Sequence, residues 1–196
     1  VECGDVKDEA SAGRWIGDLL THATGRFEAP LVGKLMAAWA EGNAAEVLRL
    51  NAEFLASRES AELRAETLQM GYSLKRLLAD LRDASLAPVQ AVLEPLPECA
   101  FPTAWAGIAQ AWGIAPGDAL NAYLWSWAEN QVMAALKAVP LGQAAGQRLL
   151  AELGARIPAI AETALTLPEA AWSNLAPAFG IASARHETQY SRLFRS

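Results

Sequence analysis

A chain of 196 residues that is 53% hydrophobic and 19% charged, with a net charge of -6 and a mean hydropathy of +0.12, has the size and apolar content of one ordinary globular domain. Low hydrophobicity with high charge marks disordered chains, so disorder is excluded, and an acidic balance argues against nucleic acid as a partner because phosphate binding needs concentrated Lys and Arg. Alanine and leucine supply about a third of the residues, more than three times Val, Ile and Thr combined, which predicts an all-α fold: a single-domain bundle of about eight to ten helices.

Taken in chain order, Asp8 caps a first helix through Leu20, and Pro30, at a first-turn position that needs no amide donor, opens a second that stops near Gly42. Asn43 with Glu46 fits a capping box and starts a third helix to about Ala56. From Ser57 onward, Leu63, Thr67, Met70, Leu74, Leu77 and Leu81 step by four and three residues, one apolar stripe on a long helix. The stretch from Ala87 to Pro102 holds Pro88, Pro95, Pro97 and Pro102 and reads as an internal crossover rather than a linker between domains. A short helix from Thr103 to Trp112 is closed by Gly113, and a long one opened by Pro116 runs to Ala138. Pro140 ends it, another helix follows from Gly142 to Ala155, and Pro158 either kinks that helix or starts the next. The final segment, 185–196, sets Arg185, Arg192 and Arg195 against Glu187 and interleaves Tyr190, Leu193 and Phe194, residue types enriched at protein interfaces.

Enzyme templates fail in this sequence. It has no GxxxxGK[ST] and no GxGxxG, and its two histidines, His22 and His186, rule out a histidine-rich metal site. The run from His186 begins like HExxH but carries Tyr190 at the second ligand position. Cys3 and Cys99 lack CxxC spacing and read as free thiols. The most charged segment includes Arg58, Glu59, Glu62, Arg64 and Glu66, for which the plain reading is a solvated helix face with pairs such as Arg58 and Glu62. Two details resist it: Gln69 lies between charged clusters, and Gly71 sits in mid-helix at a cost of about 1 kcal/mol relative to Ala, which a close helix contact beside it would explain. Gly142 and Gly146 form a small-xxx-small pair suited to helix packing, and Lys137 stands in the last turn of its helix, favourably placed for the helix dipole. Neither a membrane span of about 18 apolar residues nor a signal peptide is visible, so the expectation is a soluble, cytoplasmic protein.

Three segments together resemble the UreF family of urease accessory proteins. They are Ser57-Arg58-Glu59-Ser60-Ala61-Glu62-Leu63-Arg64-Ala65-Glu66-Thr67-Leu68-Gln69-Met70-Gly71, then Val139-Pro140-Leu141-Gly142-Gln143, and the closing run from Ala184 to Ser196. Family members begin with a segment of the form SPxLPxGxxxxSxGLE, and this chain starts just after its position, as an N-terminally truncated member would. Asp5 stands where an aromatic residue is expected. The resemblance implies an all-helical homodimer that is not an enzyme, binds UreD (also called UreH), and with it recruits or regulates the GTPase UreG at apo-urease for nickel insertion. No cofactor would be bound stably, nickel and GTP being handled by the partners. By similarity, Tyr190, Arg192, Leu193 and Arg195 would form the UreD-binding surface, the helix face of Arg58, Glu62, Arg64, Glu66 and Gln69 would contribute to partner binding, and Lys137 would face the GTPase. The other class of reading is an unrelated helical enzyme with a small-molecule pocket among its seven tryptophans.

Overall fold

The structure is a computed structural model that describes residues 4–187. The helices opened by Asp8, Asn43 and Ser60 begin where that side chain caps the first turn. Asp8 accepts the Ser11 amide at 2.8 Å, and the Ser11 hydroxyl accepts the Asp8 amide at 3.1 Å, a reciprocal capping box that starts α1 (Glu9–His22). The second helix, α2 (Glu28–Ala40), begins two residues before Pro30, which occupies its first turn. In α3 (Ala44–Ala56) only half of the expected box forms. Asn43 accepts the Glu46 amide at 3.1 Å, while the Glu46 carboxylate turns to Arg49 and Lys34.

The core is organised around α2, which packs on α3, and on α6 (Phe101–Ala111), α7 (Pro116–Ala138) and α8 (Gln143–Thr166). Its sequence is apolar around most of its circumference, and Ala29, Leu31, Val32, Leu35, Met36, Ala38 and Trp39 are all buried. Trp39 donates its indole N–H to the Thr103 carbonyl of α6 at 3.2 Å, so even this large residue meets the core with its polar group satisfied. The most extensive pairing is between α7 and α8. Of the two glycines read as a packing pair, only Gly146 serves that role, against Leu136 of α7; Gly142 is the N-cap of α8 and faces open space. Pro158 neither ends nor restarts a helix, since α8 runs through it to Thr166.

The long fourth helix departs from the expected pattern. α4 (Ala61–Leu81) starts at Ala61 because Ser60 is extended and its hydroxyl caps the Leu63 amide, so Ser57, Arg58 and Glu59 lie in the preceding turn. Its core face is Thr67, Gly71 and Leu78, with Leu74 packed beside them. The predicted stripe coincides with that face only in part: Thr67 and Leu74 belong to it, whereas Leu63 and Met70 are half-buried and Leu77 and Leu81 are 47% and 44% exposed. Gly71 is indeed a point of close approach, but to the backbone of Cys99 and Ala100 rather than to a helix.

The proline-rich stretch is an internal crossover containing α5 (Ala87–Leu93), which buries Val89 and Leu93. Buried Asn51 of α3 pins its far end by donating to the Glu98 carbonyl and accepting from the Ala100 amide and the Thr103 hydroxyl, each at 2.9 Å. Cys99 is free and buried there, and desolvation raises its thiol to about 11. Beyond α8, a turn at Glu169–Ala171 leads to α9 (Pro177–Glu187), none of whose residues is buried. Among the described residues there is no strand, and no helix is long and apolar enough to cross a membrane.

Candidate functional site

A cleft of about 160 Å³ opens between α4, α7 and the start of α2, with α9 lying across it. One wall is apolar: Phe54, Leu63, Met70, Phe101, Trp127 and Phe179. The other carries charge. Arg58 and Glu28 form an ion pair at 2.9 Å with side chains only 11% and 14% exposed, and the Arg58 guanidinium also rests on the Phe54 ring, 4.1 Å from its centroid. The second Glu28 oxygen accepts the Tyr123 hydroxyl at 2.9 Å, and the remaining guanidinium donors reach the Ser57 hydroxyl. A buried pair is tolerable only when its lone pairs and protons are all used in this way. Burial, reinforced by the Glu28 charge, holds the Tyr123 phenol well above its usual range, so it stays a hydrogen-bond donor at any physiological pH.

Glu66 stands in the cleft outside this network. Its side chain is open to the cleft yet shielded by the surrounding walls, and that desolvation, together with the neighbouring Glu28 carboxylate, raises its carboxyl above the usual range; Arg58 offsets part of the effect. On α7, Ser126, Asn130 and Gln131 add neutral polar groups to the rim. Among the described residues lining the cleft there is no histidine, cysteine or lysine, and no group of three or more metal-ligating side chains occurs among the described residues as a whole. The arrangement offers the carboxylates of Glu59 and Glu66 and a row of neutral polar groups beside an aromatic wall, which is chemistry for binding.

The predicted site residues divide. Arg58 and Glu66 meet at the cleft. Glu62, Glu66 and Gln69, four and three residues apart, share the outward face of α4. Glu62 is engaged by α9, with His186 Nδ1 2.6 Å from its carboxylate. The expected pairing of Arg58 with Glu62 does not occur, because Arg58 precedes the helix and turns inward to Glu28. Arg64 projects from the opposite side, where it pairs with Glu98 at 2.6 Å and donates to the Leu55 carbonyl. Gln69 borders a separate shallow groove with Tyr72, Pro97 and Glu98. Lys137 is exposed in the last turn of α7, about 9 Å further along that helix than Gln131. Tyr190, Arg192, Leu193 and Arg195, like Cys3, lie outside the described residues.

Sequence reasoning missed Glu28, Tyr123 and Phe179. Glu28 carries the signal that an acid in the first turn of a helix suits the helix dipole, which conceals its partnership with Arg58 thirty positions away. Tyr123 sits in an apolar run that reads as core, and it is core apart from its hydroxyl. Of the tryptophans, Trp127 alone lines the cleft among the described residues.

Comparison with known proteins gives a consistent result. The UreF family model matches residues 6–154. A urease accessory protein UreF from Dechloromonas aromatica (strain RCB) is 68% identical over the whole of this chain and 86% of its own length. Proteins of the same name from Azoarcus sp. (strain BH72) and Methylobacillus flagellatus are 65% and 50% identical, again over the whole chain and over 84% and 86% of their own lengths.

Proposed function

The chain belongs to the UreF family of urease accessory proteins, and from that membership we propose that it is a non-catalytic scaffold for nickel insertion, which binds UreD (UreH) and through it recruits or regulates the GTPase UreG at apo-urease. In this reading the protein works in the cytoplasm as a homodimer. Nickel is cargo and GTP the partner's substrate, so this chain needs no resident cofactor.

The observation that carries the reading is the meeting of two family segments at one place. α9, which leads into the C-terminal tail, docks on the N-terminal end of α4: the hydroxyls of Ser183 and Ser60 share a hydrogen bond of 2.7 Å, and the Glu187 carboxylate accepts the Ala61 amide at 2.7 Å. Glu187 and Glu62 are thereby neighbours of one surface. The tail residues Tyr190, Arg192, Leu193 and Arg195 follow directly in sequence, and their Arg and aromatic side chains suit bidentate pairing with carboxylates and pocket filling on a partner. Exposed Leu77, Leu81, Trp112 and Ile114 support pairing with a second copy, since such side chains gain from being covered.

Retention of UreD by the immobilised chain tests the proposal. The intact chain is expected to hold UreD, and deletion of 185–196 to abolish retention while the helical content of the remainder persists. Failure of the intact chain to retain UreD, with no change on deletion, overturns it. The GTPase arm is separate: Lys137→Ala is expected to lower the effect of the chain on UreG turnover in the presence of GTP, Mg and nickel, and an unchanged rate removes Lys137 from that role.

A further inference from the structure

The segment from Leu167 to Glu187 is held very unevenly along its length. At its root, Glu169 is paired with both Lys34 and Arg49, linking it to α2 and α3. Trp172 packs edge-on against Phe27, lies near the Lys34 ammonium and donates its indole N–H to the Leu167 carbonyl at 3.2 Å. Next in line, the Ser173 amide donates to the Arg26 carbonyl at 3.1 Å, and the Asn174 side chain to the Ser57 carbonyl at 2.9 Å.

Beyond Asn174 the character of the attachment changes. Leu175 is 75% exposed and Ile181 56% exposed, and α9 buries no residue. Polar contacts join it to α4: Ser183 with Ser60 is part-buried, while His186 with Glu62 and Glu187 with the Ala61 amide are exposed and have water as a ready competitor. A helix of eleven residues is marginal by itself, and a helix with no buried face draws little stability from packing. Its principal apolar commitment is Phe179, which enters the cleft wall beside Phe54, Leu63, Met70 and Phe101. Gly180 follows at the point where the strap crosses Glu59, too close for a β-carbon to fit without moving that carboxylate. The same cleft holds Glu59 and Glu66, two carboxylates outside the Glu28 and Arg58 pair.

We propose that residues 175–187 are a hinged cover with Phe179 as its plug: the cover lifts from α4 as a unit about the anchored root at 169–174, and lifting it opens the cleft. The asymmetry of anchoring and the cavity beneath set this motion up, and it requires no partner. Segments with few buried contacts open at a small fraction of the cost of global unfolding, which is how mobile covers are set apart from the body that carries them.

Amide hydrogen exchange of the whole chain, read by mass spectrometry, tests it. In the wild type, 177–187 is expected to exchange at one common rate, at least a hundredfold faster than the body of α8. A disulfide between cysteines placed at Ser60 and Ser183, whose hydroxyl oxygens are 2.7 Å apart, is expected to slow exchange of 177–187 by at least tenfold when oxidised. The reduced form of the same variant serves as its control, because it shares the altered cap of α4. Phe179→Ala is expected to speed exchange of 177–187 at least tenfold with α8 unchanged. Exchange of 177–187 as slow as that of α8, or no difference between oxidised and reduced forms, or a rate that declines steadily from Glu187 inward as in simple fraying, overturns the cover.

Discussion

Arg58 illustrates what a single residue's surroundings decide. Beside Glu62 in sequence it has the spacing of a surface helix pair, worth a few tenths of a kcal/mol. The extended Ser60 places it ahead of the helix, where it neutralises a buried carboxylate instead. Removing one partner of such a pair strands the other, so Arg58→Ala is expected to destabilise the fold by about 3 kcal/mol and Tyr123→Phe by about 1 kcal/mol, both read from urea unfolding midpoints. Glu66 behaves in the opposite sense. A carboxyl with a raised folded-state value binds its proton more tightly when folded, so stability rises as pH falls through that value and levels off once the unfolded chain protonates as well, below about pH 4.5. Glu66→Gln is therefore expected to melt at a higher temperature than wild type at pH 7 and at the same temperature at pH 4 or below. Equal melting temperatures at pH 7 would remove the desolvation argument for this residue.

At the scale of elements, the ends of helices were legible and their facing was less so. Asp8, Asn43 and Pro116 announce their helices because capping chemistry is local, and the break at Pro140 is equally local. The facing of α4 was legible only in part because an apolar stripe is assumed to face the core, whereas here the buried face joins Thr67 of that stripe to Gly71 and Leu78, with Thr67 and Gly71 small enough to admit the crossover backbone. Thr67 also accepts the Phe101 amide at 3.0 Å, and Lys75 donates to the Leu96 carbonyl at 2.8 Å, so α4 receives an irregular segment through polar contacts that no hydrophobic periodicity encodes. The cleft was out of reach for a related reason: Glu28, Arg58 and Tyr123 are scattered over ninety-five positions and converge only through the packing of α2 and α7. Gly71 gives the sharpest test at this scale. Helix propensity alone favours Gly71→Ala by about 1 kcal/mol. Contact with the Cys99 and Ala100 backbone, which cannot swing aside as a side chain would, reverses the sign. The variant is expected to unfold at lower urea than wild type and to speed hydrogen exchange in 96–101 in particular; a stabilised variant would show that the crossover yields.

For the molecule as a whole, the question is what fixes the C-terminal segment against the bundle, since the family tail, the cover over the cleft and the N-terminal end of α4 all depend on it. The answer on the outer surface is one cluster: Lys34, Glu46, Arg49, Glu53 and Glu169, joining α2, α3 and the turn after α8. Hydrogen bonding from Arg49 lowers Glu46 to about 2, and Lys34 and Arg49 likewise hold Glu169 below its usual value. Depressed carboxyls contribute stability that is fully present above their unfolded value near 4.5 and is lost as pH falls toward the folded value near 2. Because these side chains are partly exposed, solvent screening limits each pair to about 1 kcal/mol or less, too little to unfold the domain but enough to loosen one anchored turn about fivefold. Glu169→Gln at pH 7 is accordingly expected to speed hydrogen exchange across 167–176 by about that factor while shifting the global melting temperature little. Wild type taken from pH 6 to pH 3 should loosen the same turn once intrinsic exchange rates are corrected, and 0.5 M salt should narrow the difference between wild type and variant. If the variant exchanges like wild type, the root is held by Trp172 and its aromatic and backbone contacts instead, and a Trp172→Ala chain should then lose the protection that Glu169→Gln left intact.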